Sequence, residues 1–112
     1  VETWDTAWVT DMSNMLLNNY TFNDDISMWN TSNVCNMAGA FMNARSFNRD
    51  IRAWDVSRVT DMECVFNGAM SFDYYVGGWD IQNVDDIDYA FDSVGTHQAQ
   101  RSLASWVSAL SN

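Results

Sequence analysis

Carboxylates and carboxamides recur along this chain in a pattern that invites a cation. Asp11, Asn36, Asp61 and Asp86 stand at one constant interval, and Asp85, Asp86, Asp88 and Asp92 crowd one short stretch. Hard oxygen ligands hold calcium when a loop folds them around it. Asp85, Asp88 and Asp92 are the candidate ligands. No EF-hand loop or glycine-rich calcium-binding nonapeptide accompanies them. Asp and Asn at turns and helix starts also have a plainer duty, which is to satisfy backbone donors once per repeat. The sequence is read as holding no metal, with an acidic calcium-dependent module as an alternative.

Other reactive groups are sparse. His97 is the single histidine, close in sequence to Asp92 and Ser93. A Ser-His-Asp arrangement would need a nucleophile elbow or an oxyanion-hole sequence, and neither is present. Cys35 and Cys64 fall on neighbouring repeats, one helical turn out of register; a disulfide between those repeats and two free thiols are both open. The expectation is a non-enzyme without a cofactor. Asn19-Tyr20-Thr21 and Asn30-Thr31-Ser32 are N-glycosylation sequons.

The elements that position these groups follow from a strict repeat. Trp4, Trp29, Trp54 and Trp79 recur at a constant interval of about 25 residues. Val9, Val34, Val59 and Val84 keep the same register, as do Met12, Met37, Met62 and Ile87. Phe41, Phe66 and Phe91 follow Leu16; Phe22, Phe47 and Phe72 form a further column; Val1, Ile26, Ile51 and Val76 form another. Repetition at this period predicts stacked coils starting near residues 1, 26, 51 and 76.

Within one coil, Ile51–Trp54 reads as a short strand and Asp55 as an Asx turn, with Asp5, Asn30 and Asp80 as counterparts. Thr60 or Asp61 reads as an N-cap. Met62, Val65, Phe66 and Ala69 form the apolar stripe of a short helix ended by Asn67-Gly68. The predicted fold is an α/β solenoid over residues 1–97, made of about four strand-turn-helix coils. A C-terminal capping helix over 98–112 follows, with Leu103, Trp106, Val107 and Leu110 on one face. Val1, Trp4 and Val9 leave the first coil's stacking face uncovered, so further repeats or a partner subunit are expected to dock there.

Bulk properties narrow the partners. The 112 residues carry a net charge of −10 with five Lys and Arg, all arginine, and contain no proline. Phosphate binding needs clustered cations, so nucleic acid is excluded as a partner. No apolar run reaches membrane-spanning length. The chain opens without Met or a signal-like start, which reads as a processed form or a piece of a longer chain. Aromatic residues that the periodic core does not require, Trp8, Tyr20, Tyr74, Tyr75 and Tyr89, are the candidate contacts for a protein or glycan. The four periodic tryptophans are read as part of the fold.

Two stretches carry a family resemblance. They are Trp54-Asp55-Val56-Ser57-Arg58-Val59-Thr60-Asp61-Met62 and Phe41-Met42-Asn43-Ala44-Arg45-Ser46-Phe47-Asn48-Arg49-Asp50-Ile51-Arg52-Ala53-Trp54. Together they resemble the BspA-like surface-protein repeats, also called DUF285, over roughly residues 1–95. The resemblance implies a right-handed leucine-rich-repeat-like solenoid on an extracellular or cell-surface protein, with no catalytic motif to transfer. It implies a recognition or scaffolding module, the alternative being a structural subunit that docks through its first coil. Trp8, Tyr74-Tyr75, Gly77-Gly78 and Leu16-Leu17 depart from the pattern.

Overall fold

Each repeat unit holds two backbone positions in the left-handed region, and these decide what its apolar pattern can become. In a computed structural model that describes residues 5–111, Asn14, Gly39, Cys64 and Tyr89 share one register position with φ of 56, 66, 57 and 59°. Further along each unit, Asn18, Asn43, Gly68 and Ser93 have φ of 60, 59, 75 and 61°. An α-helix cannot run through left-handed residues, so a ribbon of overlapping tight turns forms instead. Met15, Leu17 and Asn19 donate backwards to the carbonyls of Met12, Asn14 and Leu16, at 3.2, 3.2 and 3.0 Å.

The intervening amides point along the stack. Met12, Asn14, Leu16 and Asn18 donate to the carbonyls of Asn36, Ala38, Ala40 and Met42 in the next unit, at 2.8–3.0 Å. Met37, Gly39, Phe41 and Asn43 repeat this onto Asp61, Glu63, Val65 and Asn67. Met62, Cys64, Phe66 and Gly68 repeat it again onto Asp86, Asp88, Ala90 and Asp92. One bond per junction runs the other way: Cys35 to Thr10, Thr60 to Cys35 and Asp85 to Thr60, at 2.7, 2.9 and 2.8 Å. Alternate amides thus serve the turn and the neighbouring unit, and the inner ribbons satisfy their polar backbone without helix or sheet.

This corrects the expected architecture. The chain is not an α/β solenoid of strand-turn-helix coils, leucine-rich-repeat-like or otherwise. Among the described residues there is no sheet, only three isolated parallel bridges that pair Asp11, Asn36, Asp61 and Asp86 in sequence. The one helix among the described residues is α1, His97–Leu110. Ile51–Trp54 is a turn closed by the Trp54 amide on the Ile51 carbonyl at 3.1 Å, not a strand. Met62–Ala69 is turn ribbon, and Asp61 caps an Asx turn by accepting from the Glu63 amide at 2.9 Å. Gly68 belongs to the ribbon rather than to a helix C-cap.

Stacking buries the repeated columns. Successive rings of Phe41, Phe66 and Phe91 are 5.2 Å apart, and those of Phe22, Phe47 and Phe72 are 6.2 and 6.0 Å apart. Phe66 against Phe72 at 4.4 Å ties the two columns together. The indole N–H groups of Trp54 and Trp79 each reach a carbonyl of the preceding unit, Trp54 to Ile26 at 3.1 Å and Trp79 to Ile51 at 3.2 Å.

Helix α1 continues several of these ladders in a different backbone. The Trp106 indole donates to the Val76 carbonyl at 3.0 Å and lies 6.0 Å from the Trp79 ring and 4.9 Å from that of Phe91. The Gln98 amide donates to Asp73 Oδ1 at 3.0 Å, where Asn48 and Asp73 amides donate to Asn23 and Asn48 Oδ1 in the earlier units. Ser102 Oγ accepts from the Val76 amide at 2.9 Å. The helix thus covers the side of the last unit built from Asp73, Val76 and Trp79 and reaches over Phe91 and Val94 as well.

Candidate functional site

Most acidic and amide side chains are engaged locally. Asp5, Asn30, Asp55 and Asp80 each accept from the amide of the next residue but one, at 2.9–3.2 Å, as their sequence positions suggested. Asp11, Asn36, Asp61 and Asp86 do the same at 2.8–2.9 Å, and Asp25 and Asp50 do so at 2.9 and 3.1 Å. These Asx turns let each unit bend without proline. Among the described residues no three His, Cys, Asp or Glu side chains group closely enough to hold a metal ion, so Asp85, Asp88 and Asp92 are not gathered into a site.

Four of the carboxyls titrate below the ordinary value of 3.8. Asp11 and Asp55 are held down by their Ser13 and Ser57 side chains and then by the amides of those residues. Asp25 is held down by the Ser27 amide and side chain. Asp50 falls to about 2, chiefly through the Arg52 guanidinium, which binds it at 2.8 and 2.9 Å. Between the folded and unfolded values the unfolded chain binds more protons. The contribution of these groups is therefore present above the unfolded value and lost as pH falls through the folded ones. The melting temperature is therefore expected to fall as the pH drops from roughly 4 towards roughly 2. A melting temperature that kept climbing to the lowest pH would contradict this.

Candidate nucleophiles stand apart. His97 is exposed at the start of α1. Cys35 and Cys64 are both free thiols, the first exposed. Burial pushes the Cys64 thiol up, away from the reactive thiolate.

The aromatic candidates occupy different register positions. Trp8 is 84% exposed, Tyr89 61% and Tyr20 46%. Tyr20 lies under the Arg45 guanidinium at 4.3 Å. Tyr74 is half-buried against Phe72 with Arg52 above it, and half-buried Tyr75 carries Arg101 at 4.4 Å. Trp8 heads a polar row: Asn33, Arg58 and Asn83 follow it at the same position of successive units. Asn33 bonds the Ala7 carbonyl at 2.7 Å and accepts from Arg58 at 2.8 Å, and Asn83 bonds the Ser57 carbonyl at 2.8 Å.

Val1 and Trp4 lie outside the described residues. Val9 is half-buried and, with Met12, Met15 and Trp29, lines an open recess of about 340 Å³. The sequon residues Asn19 and Asn30 are both exposed, yet each side chain already caps a turn, accepting from the Phe22 and Ser32 amides. Sequence reasoning missed Met28 and Met70, which are 81% and 56% exposed. Met70 shares the register position of Tyr20 and Arg45, a coincidence that column-by-column reading of outward positions reveals.

Comparison with known proteins places these features in a family. A family model described as "Mycoplasma protein of unknown function, DUF285" matches residues 1–106. No curated protein and no solved structure matches the chain.

Proposed function

The chain belongs to the DUF285 family, and we propose that it is a non-enzymatic recognition module of a cell-surface or secreted repeat protein. Its partner is a protein or a glycan. The observation that carries this reading is Trp8, an indole 84% exposed at the head of the Asn33-Arg58-Asn83 row. An exposed ring beside fixed amide and guanidinium groups suits both a protein hot spot and the apolar face of a sugar. Tyr20 and Tyr89 offer further exposed contact area. The absence of catalysis is supported by the solitary His97 and by a Cys64 thiol shifted away from its reactive form.

The test is a Trp8→Ala chain. Trp8 adds nothing to the core, so stability is expected to change by less than about 0.5 kcal/mol. Retention of partners from the native source, or of immobilised glycans, is expected to fall at least about tenfold, the loss typical of an aromatic hot spot. Equal retention by both chains would rule out the Trp8 surface.

A further inference from the structure

Four of the five arginines are held by neutral groups, although the chain carries 15 Asp and Glu side chains. Among the described residues the one ion pair is that of Arg52 with Asp50. Arg45 lies on the Tyr20 ring and Arg58 bonds Asn33. Arg49 donates through Nε to the Asn23 carbonyl at 2.7 Å, and Arg101 bonds the Gln98 carboxamide at 2.8 Å. Arg49 and Arg101 are both exposed, and they bracket one pair of rings. Arg49 holds the register position of Tyr74 one unit earlier, while the Arg101 guanidinium lies 4.4 Å over the centre of the Tyr75 ring.

The two tyrosines are fixed from behind. Tyr74 carries Arg52 at 5.7 Å and packs on Phe72 at 6.2 Å. Tyr75 lies on Gly77, where an added Cβ would run into the phenol ring. Tyr74-Tyr75 and Gly77, which depart from the repeat pattern, therefore form one assembly. Neither phenol hydroxyl bonds a described residue. The outward groups are thus donors: two phenol O–H groups and the remaining N–H groups of Arg49 and Arg101. The carboxylates nearby are engaged. Asp50 is spent on Arg52, Asp73 accepts from the Gln98 amide, and Asp25, within electrostatic reach of Arg49, accepts from the Ser27 amide.

We propose that this assembly is a second binding site, separate from the Trp8 surface, for a sugar bearing a single carboxylate or sulfate group. Donors without competing acceptors suit an oxyanion, and a guanidinium can meet it with two parallel hydrogen bonds. Guanidiniums already anchored on a carbonyl, a carboxamide or a ring lose little freedom when a ligand arrives. The net charge of −10 repels polyanions, so a ligand with one anionic group fits better than a heavily sulfated chain or an acidic peptide. An open recess of about 580 Å³, bounded by Ser27, Met28 and Ala53 beside Arg52, leaves room for the uncharged remainder of the saccharide.

Titration of the full chain with sialyllactose, galactose 6-sulfate and neutral lactose, followed by amide NMR, tests this. At least one charged sugar is expected to bind with a dissociation constant of about 0.1–1 mM, and lactose at least about tenfold more weakly. Arg49→Gln and Arg101→Gln are each expected to weaken binding about tenfold. Tyr74→Phe and Tyr75→Phe, which keep the rings, are expected to cost about two- to fivefold each. Trp8→Ala is expected to leave this binding unchanged, so the two surfaces stand or fall separately. Near-UV circular dichroism checks each fold. Arg49 covers no ring, so its variant remains decisive even if Arg101→Gln loosens α1. The proposal is overturned if neither charged sugar binds, if lactose binds equally well, or if Arg49→Gln binds like wild type. A triglutamate peptide that binds more tightly than both charged sugars also overturns it.

Discussion

Replacing Trp106 by alanine is expected to destabilise the protein by about 3–5 kcal/mol, the range for truncating a fully buried aromatic side chain. The indole is completely buried between Trp79 and Phe91, and its N–H is spent on the Val76 carbonyl. Truncation opens a cavity at the stack's end and leaves that carbonyl without its partner. Trp106→Phe separates the two effects. It retains most of the packing and loses the hydrogen bond, at a cost of about 1 kcal/mol. Urea denaturation of both variants measures the difference. A loss below about 1 kcal/mol for Trp106→Ala would show that α1 contributes little to the fold.

The second large effect is expected at Gly68. Its φ of 75° disfavours any L side chain, and an added Cβ meets the Asn43 carboxamide oxygen. That carboxamide is not free to retreat, because its Nδ2 donates to Asn18 Oδ1 at 2.9 Å in the unit below. Left-handed strain contributes about 1–2 kcal/mol and the crowding about 1–3 kcal/mol more, so Gly68→Ala is expected to lose about 2–4 kcal/mol in all. Gly78→Ala is the control. Nothing lies within 4 Å of its added Cβ, and its stability is expected to stay within about 0.5 kcal/mol of wild type. Equal melting temperatures for the two variants would remove the ribbon geometry as a constraint on sequence.

The columns of the core were legible because Phe22, Phe47 and Phe72, and likewise Phe41, Phe66 and Phe91, fall at a fixed interval and stack on one another. The Asx turns at Asp5, Asn30, Asp55 and Asp80 were legible because their side chains cap the backbone just ahead of them. The helix expected over Met62–Ala69 was not there, and the reason is a degeneracy. Met37, Ala40, Phe41 and Ala44 are all buried, with the spacing of three, one and three that a helix face produces. Overlapping tight turns send the same residues inward. What separates the two is the residues between them. Asn14 and Gly39, then Asn18, Asn43 and Gly68, place left-handed-tolerant types at two positions one helical turn apart. Cys64, Tyr89 and Ser93 at the same positions hide the signal. The exposed contacts were only partly legible. Trp8 stands clear because it breaks its column, whereas Tyr74 and Tyr75 break theirs and are nevertheless half-covered by arginine.

The junctions between units also govern how the chain reaches its native state. Every bond of the ribbon ladder joins groups about one repeat apart in sequence, so no part of the ladder can form before a loop of that length has closed. The entropic cost of closure grows only with the logarithm of loop length, which makes it nearly the same at each junction. The first junction must close without a template, while each later one lays its amides on a row already fixed. Folding is therefore expected to be slow for a chain of this size and to have one initiating step, after which the remaining units are added in order. Any junction can be that first step, and the stack then grows towards both ends.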